Sequence, residues 1–480
     1  MRNQLSLAFV LCGVASGCAV GPDFVTPPPP TQTEWINMQD PKHGLTESDA
    51  VPQRWWQEFQ DPLLSALVER GIESNLDLKI AVERVRQARS QRSVAAAAFY
   101  PSVNFEADAR RSGSSSNQGE IVDGSVTSGG GRVANFYEAG FDAIWELDIF
   151  GGNRRAYEAA GAQLASAQSD QANVLITVAG DIGSGYVTMR GLQQRIAITE
   201  ATLETQRRAA SIAEKRVRAG FSNALDLANA STQVYLTESE IPQLQALLAA
   251  QKYSLAVLLG LAPKDLPEQL SSVEPLPQLP AHIHVDAPLS LLRRRPDIRR
   301  AEADLHAATA LVGVAIADLF PNFSLSAFIG LQGDKESALT TWHDRLWNVA
   351  GSVTAPVFQG GRLWANVEIQ KSVRDAALFE YEKTVLAALA EVETALVQYM
   401  SDRKRAEVLK QAVATSQKAL DLSMHLYSEG LSEFINVLDS ERSHYASQQS
   451  LIQSQQAALL DIIALYKALG GGWEVGPQPT

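Results

Sequence analysis

From Arg362 to Ser428 the chain contains neither glycine nor proline, and Glu429 extends the run until Gly430 ends it. Those two residues interrupt helices most readily, so the stretch predicts one unbroken helix. At 1.5 Å per residue it would reach roughly 100 Å. That is about three times the hydrocarbon thickness of a bilayer. A helix so long needs lateral neighbours to be stable. Leu409, Val413, Leu420, Met424 and Tyr427 supply an apolar seam at coiled-coil spacing.

The same plan occurs twice. LDLKIAVERVRQA from Leu76 returns as PDIRRAEADLHAA from Pro296, and AAAAFYPSVNFEA from Ala95 returns as AIADLFPNFSLSA from Ala315. FGGNR from Phe150 returns as FQGGR from Phe358, RAGFSNALDL from Arg218 as SEGLSEFINV from Ser428, and LLG from Leu258 as ALG from Ala468. The offset falls once, inside a polar loop (112–131) that is longer in the first copy. A single displacement within a loop is the mark of duplication with one insertion. The copies are too long for solenoid repeats of roughly 20–50 residues. They read as two halves of one domain. Each begins with a helix of about 35 residues by the helical pattern, ending near Pro101 or Pro321. Two strands follow, then a very long helix (about 153–218 and 362–428), a glycine turn, and a return helix (about 223–259 and 433–468). In the first long helix Val174, Val178, Ile182, Tyr186 and Met189 repeat the seam.

The strands are predicted at about 102–111, 133–147, 322–332 and 346–357. Val103, Phe105, Ala107 and Ala109 alternate with Asn104, Glu106, Asp108 and Arg110. Phe141 and Trp145, then Leu325 and Ile329, then Trp347 and Val349 continue that period-two pattern. Strands with an apolar outside, a polar inside and interfacial aromatics suit a transmembrane barrel. Four strands cannot close one, and an open edge has no partner for its amides in lipid. The chain is therefore expected to assemble with copies of itself. Two copies would give a barrel of about eight strands filled by its own side chains. Three copies give a conduit.

The amino terminus carries a secretory signal: Arg2, an apolar core from Leu5 to Val14, and small residues Ala15, Ser16 and Gly17 before Cys18. Small residues followed by cysteine resemble a bacterial lipobox, which implies a covalent lipid on Cys18, while Ala19 points to sorting to the outer membrane. Cys12 lies inside the signal, so Cys18 is the sole cysteine of the mature chain and no disulfide framework exists. VTPPPPT (Val25 to Thr31) reads as an extended spacer. No later apolar run is long enough for a transmembrane helix. A net charge of −13 argues against a nucleic-acid partner.

The lipobox, the duplicated plan, FPNFSLSA, APVFQGGRL, VLDSERS after the second turn and the closing LYKALGGGW resemble the TolC-like outer-membrane factors, within them the lipoprotein branch that serves tripartite RND pumps. The likeness spans about residues 18–474. It implies a mainly α fold with a transmembrane β part: a homotrimer whose 12-stranded outer-membrane barrel continues into a 12-helix periplasmic α-barrel. On that plan residues 1–17 are signal, 18–62 anchor and spacer, 63–260 and 289–470 the repeats, 261–288 a proline-rich equatorial linker and 471–480 a tail. An equatorial belt would take about 45–65, 261–288 and the C-terminus. The implied function is a passive exit duct for drugs and toxic compounds, a multidrug-resistance component. Its partners would be a periplasmic adaptor, an inner-membrane RND transporter and outer-membrane lipid.

By the same resemblance the second turn is the periplasmic tip, with Asp226, Ile435, Asp439 and Arg442 at the gate. Acidic rings there would favour cations, and Asp439 and Arg442 are spaced to pair along one helix. Arg218, Gly220 and Ser222, with Gly430 and Ser432, would form the turns that receive the adaptor. No phosphate loop, HExxH or paired-cysteine site is present, so neither catalysis nor a cofactor beyond the Cys18 lipid is expected. His282 and His284 in HIH would need further ligands to hold a metal. RRRPDIRR from Arg293 reads as a solvated face or belt contact. Two alternatives stay open: the outer-membrane duct of a type I protein secretion system, and a lipid-anchored structural coiled-coil protein with no pore.

Overall fold

The computed structural model describes residues 19–28, 34–38, 45–47, 52–113, 120–122, 125–127, 133–280 and 282–473. Cys18, the signal, most of the 112–131 loop and the tail beyond Trp473 lie outside these residues. In chain order the elements are β1 (Leu45–Glu47), α1 (Pro62–Ser74), α2 (Leu76–Ala97), β2 (Ser102–Gly113), β3 (Glu120–Val122), β4 (Ser125–Thr127), β5 (Val133–Leu147), α3 (Gly152–Arg218) and α4 (Ala224–Leu258). The second half repeats the plan with β6 (Ile283–Val285), α5 (Pro288–Arg294), α6 (Pro296–Ala317), β7 (Asn322–Gly333), β8 (Arg345–Thr354), α7 (Arg362–Ser428) and α8 (Phe434–Ala468). No described helix is long and apolar enough to cross a membrane.

Two expectations need correction. The single leading helix of each half is two helices. Asn75 breaks the first: its backbone is extended at ψ 134°, its Oδ1 accepts from the Leu78 amide at 3.0 Å, and its Nδ2 donates to the Leu258 carbonyl at 2.8 Å. In the second half Arg295 holds ψ at 121°, which the ring of Pro296 imposes on the residue before it. The fourth strand ends at Thr354 rather than near 357, just before Pro356, which has no amide to donate to a ladder.

The chain divides into two compact units: Met1–Thr26 with Arg86–Ala165 and Glu302–Phe379, and Pro27–Val85 with Ser166–Ala301 and Glu380–Thr480. The first unit carries an antiparallel sheet in the order β2-β5-β7-β8. Its register aligns Phe105 with Phe141, Phe141 with Ile329, and Ile329 with Trp347, so one row of large apolar side chains crosses all four strands. The opposite face pairs Asn104 with Asp142 and Ser324 with Ser352 through side-chain hydrogen bonds of 3.3 and 2.7 Å.

The second unit holds the main core. Trp55, Trp56 and Phe59 pack with Ile182 and Tyr186 of α3, Val392 and Tyr399 of α7, and Ile462 and Tyr466 of α8. β1 pairs in parallel with β6, and Leu270, Ile283 and Val285 enter the same core. The belt segments thus pack against the long helices. α3 stays continuous through its glycines, several of which are contact points. A Cβ on Gly183 would stand 3.0 Å from the Trp55 ring, and one on Gly185 would stand 2.9 Å from Leu255. α4 likewise runs through Pro242 without ending.

Candidate functional site

The sheet of the first unit leaves its apolar row bare. Trp347 is 70% exposed, and Val103, Phe105, Phe141, Ile329 and Val349 are exposed with it. A row this large in a finished water-soluble fold would be buried. Among the described residues, the outer edges of β2 and β8 have no strand beside them. A residue-by-residue alternation of bare apolar and hydrogen-bonded polar faces, with two open edges, matches a segment of barrel wall whose outside meets lipid.

The amino-terminal segment lies against the same unit. Val20 donates to the Phe150 carbonyl at 3.0 Å, just beyond the end of β5. Arg155 donates to the Val20 carbonyl at 3.2 Å and to Asp23 at 2.7 Å, Phe24 stacks on His306 at 4.4 Å, and Thr26 donates to Glu302 at 3.0 Å. The spacer reading of Val25 to Thr31 is thereby corrected at its start: Thr26 is bonded to the body through Glu302. Pro29, Pro30 and Thr31 lie outside the described residues.

At the far end of the long helices each hairpin turns on a glycine. Gly220 and Gly430 have φ of 75° and 79°, in the left-handed region that favours glycine. The Gly220 amide bonds the Val217 carbonyl and the Phe221 amide the Arg216 carbonyl; Gly430 and Leu431 do the same with Tyr427 and Leu426. This double bond pattern satisfies the last helical carbonyls. Beyond the glycines, Phe221 and Leu431 occupy equivalent places and are 76% and 75% exposed. Leu225 and Ile435 form a second equivalent exposed pair. Behind the turns, Ala209, Ala213, Ala230, Tyr427, Phe434, Val437 and Leu438 make a small core of α3, α4, α7 and α8.

The residues expected at the tip lie near these turns. Asp226 accepts the Ser222 hydroxyl, while its own amide donates to the Asn223 cap at 3.0 Å. Arg218 pairs with Glu214 at 2.5 Å, and Ser432 accepts from Asn436 at 3.0 Å. The expected Asp439–Arg442 pair does not form. Arg442 donates instead to Gln233 of α4 at 2.9 Å, and exposed Asp439 has no partner among the described residues. The reason is reach: α4 runs alongside and offers Arg442 an amide oxygen from a second helix.

Sequence reasoning passed over two residues here. Arg216 Nη1 donates to the Tyr427 and Ser428 carbonyls at 2.6 and 3.3 Å, and its guanidinium lies 4.7 Å from the Tyr427 ring. It ties the end of α7 to α3. Glu441 is a buried carboxyl on α8. Its signal was visible, since Phe434, Val437, Leu438 and Glu441 share one helical face.

The basic run from Arg293 makes one contact with the belt segment 261–288 and others with the long helices. Arg294 pairs with Asp286 at 3.0 Å, Arg295 with Asp297 and Glu391 at 2.7 and 2.8 Å, and Arg300 with Asp170 at 2.8 Å. Around His282 and His284, as elsewhere among the described residues, no group of three or more potential ligands is placed to hold a metal.

Comparison with known proteins agrees with this geometry. The family model described as "Outer membrane efflux protein" matches residues 67–261 and 287–471, one span in each half. Nodulation protein T of Rhizobium leguminosarum bv. viciae is 32% identical over 479 residues, covering 98% of this chain and 94% of that protein. The toluene efflux pump outer membrane protein TtgC of Pseudomonas putida is 30% identical over 477 residues, covering 98% and 96%. The solved outer-membrane channel OprN is 33% identical with a TM-score of 0.89, covering 95% of this chain and all of that one. These relatives are channel and transport proteins rather than enzymes. The bare sheet and the glycine-turned helices are therefore barrel wall and duct, and the chain belongs to the outer membrane efflux protein family, as an outer-membrane channel subunit of a tripartite efflux system.

Proposed function

We propose that three copies assemble into a passive exit duct that a periplasmic adaptor opens and an inner-membrane RND transporter feeds. The observation that carries this is the four-stranded sheet with a bare apolar face and two unpaired edges. Each unpaired amide or carbonyl held in lipid costs several kcal/mol, so β2 of one copy must meet β8 of the next. Twelve strands leave an open lumen, whereas eight are filled by their own side chains. Substrate crosses unchanged. The cargo is a class of small organic molecules, in keeping with the toluene named for one relative.

Cys18 carries the lipid. Ala19, its neighbour, packs on Gly151, between the end of β5 and the start of α3. An acyl chain on Cys18 would therefore emerge beside the strand ends, at the level of the lipid. The gate is the ring of second-half hairpins around Ile435, Asp439 and Arg442, with Asp226 beside it. Because Asp439 has no partner among the described residues of its own chain, the bond that shuts the pore is made to a neighbouring copy. Replacing Asp439 and Arg442 together by alanine should leave the duct leaky to a large antibiotic such as vancomycin; unchanged uptake would count against the gate. The exposed pairs Phe221 and Leu431, Leu225 and Ile435 give the turns Arg218–Ser222 and Ser428–Ser432 apolar anchors for adaptor helices.

The test uses the cysteine count. With Cys12 removed in the signal and Cys18 acylated, Ser432→Cys supplies the sole free thiol. A photo-crosslinker placed there is irradiated in intact cells and the product identified by mass spectrometry. Capture of a helical-hairpin adaptor is expected. Its absence, with the protein verified in the outer membrane as a detergent-stable trimer, would overturn docking at the tip.

A further inference from the structure

A cleft of about 470 Å³ opens among α3, α7 and α8, behind the second hairpin. Its wall holds two buried polar groups with nothing to bond. Gln206 of α3 is 2% exposed, and neither its amide nitrogen nor its oxygen has a partner. Glu441 of α8 is 3% exposed, and its Oε1 has none. Leaving such groups unsatisfied costs roughly 1–3 kcal/mol each, more for a charge. The rest of the cleft combines an apolar side, Leu420 and Met424, with Asp421 and His444. No lysine or arginine lines it.

We propose that this cleft binds a small organic ammonium ion, whose N–H groups meet the Glu441 carboxylate and the Gln206 amide oxygen while its apolar body lies on Leu420 and Met424.

The charge of the wall selects the sign. Asp421 on α7 and Glu441 on α8 are its acids, α3 faces them with uncharged side chains, and the one basic group is His444. Burial holds His444 below its usual range, although Asp421 works the other way, and its Nδ1 is 3.0 Å from the Ser416 hydroxyl. It is therefore neutral near pH 7 and brings no competing cation. A metal is the poorer occupant, because no three ligating groups converge among the described residues. An ammonium needs one carboxylate and a neutral acceptor, which are the two groups left unbonded. The size falls within the range of small-molecule sites.

The duplication argues that the cleft is not a requirement of the fold. The first-half residues equivalent to Glu441 and His444 are Ser231 and Val234. The polar pair belongs to one hairpin only, where an apolar residue would have cost less.

Burial raises the Glu441 carboxyl to about 7. The ammonium binds the ionised form, so affinity should rise about tenfold from pH 6 to pH 8 as the proton is displaced. An apolar cleft that merely soaks up organic molecules would show no such slope.

The experiment uses the full-length assembled protein in lipid nanodiscs with benzylammonium chloride as probe, read by saturation-transfer NMR. Benzyl alcohol is the neutral isostere. Saturable binding that weakens at least tenfold in Glu441→Gln, is not matched by the alcohol and strengthens with pH would support the site. Equal signals in wild type and Glu441→Gln would report lipid partition alone and overturn it. A flat pH profile, or a cleft in which Gln206 and Glu441 bond only water while no probe binds, would overturn it too. If Glu441→Gln fails to assemble, Met424→Trp carries the test: it fills the apolar side and leaves the carboxyl, and undiminished binding there would refute the assignment.

Discussion

Arg216→Ala should loosen the second hairpin turn by about 2 kcal/mol, an amount that follows from three interactions. Nη1 reaches two carbonyls at the end of α7, Tyr427 at 2.6 Å and Ser428 at 3.3 Å. A hydrogen bond from a charged donor contributes roughly 1.5–3 kcal/mol. The guanidinium over Tyr427 at 4.7 Å adds about 0.5–1 kcal/mol. A cation at a helix C-terminus adds about 0.3–1 kcal/mol. These overlap, and the turn carbonyls regain water once the side chain is gone, so the net effect sits near the lower bound. Two kcal/mol corresponds to about a 30-fold change in the opening equilibrium. The assay is hydrogen exchange at the amides of Glu429, Gly430 and Leu431, which bond back to His425, Tyr427 and Leu426 and exchange when the turn opens. Arg218→Ala is the matched control. Arg218 is exposed and its ion pair with Glu214 lies along the surface of one helix, so its loss should cost under about 0.5 kcal/mol. If Arg216→Ala leaves exchange unchanged, or changes it no more than Arg218→Ala does, Arg216 does not hold the two hairpins together.

Further outcomes follow from the second unit. Asp61 caps α1 through the Leu63 and Leu64 amides at 2.9 and 3.0 Å and accepts the Tyr186 hydroxyl at 2.8 Å. Asp61→Ala should therefore lower stability by about 1–3 kcal/mol in thermal unfolding, and Asp61→Asn by much less. Gly260 has φ 63°, and a Cβ there would stand 2.7 Å from the Ser74 carbonyl oxygen. Gly260→Ala should thus lower the unfolding temperature, at a cost of about 1–3 kcal/mol. Burial, and then the neighbouring Asp402, push Asp461 up to about 7. A carboxyl raised in the folded state stabilises while protonated; that contribution is full below about pH 4 and lost as pH rises through about 7. Asp461→Asn, neutral at every pH, should match wild type in unfolding temperature at about pH 4 and exceed it by a growing margin up to about pH 8.

How much of this was legible in the sequence depends on whether a residue's partner is local. The strands were, because a wall with lipid on one side writes its two faces into alternate residues, as in Val103 to Arg110. The helix α7 was, because nothing packs so closely on it that it needs glycine. The break at Asn75 was not, because asparagine inside a helical pattern is only mildly unfavourable. What decides its conformation is the Leu258 carbonyl, 183 residues away. Arg216 was hidden in the same way: in sequence it is one more base in the last turn of α3, and its partners lie 211 and 212 residues on. Asp439 and Arg442 show the converse error. Their spacing suggested a local pair, and a neighbouring helix outbid it through Gln233. Glu441 stands between these cases. The stripe Phe434, Val437, Leu438 predicts that the next inward position is 441, and a glutamate there breaks the apolar rule. Such a violation is local and readable, and it does not depend on knowing the partner. A charge on a buried stripe must be matched from another helix or from a ligand. In this chain the helix opposite offers the unbonded Gln206 across a cleft.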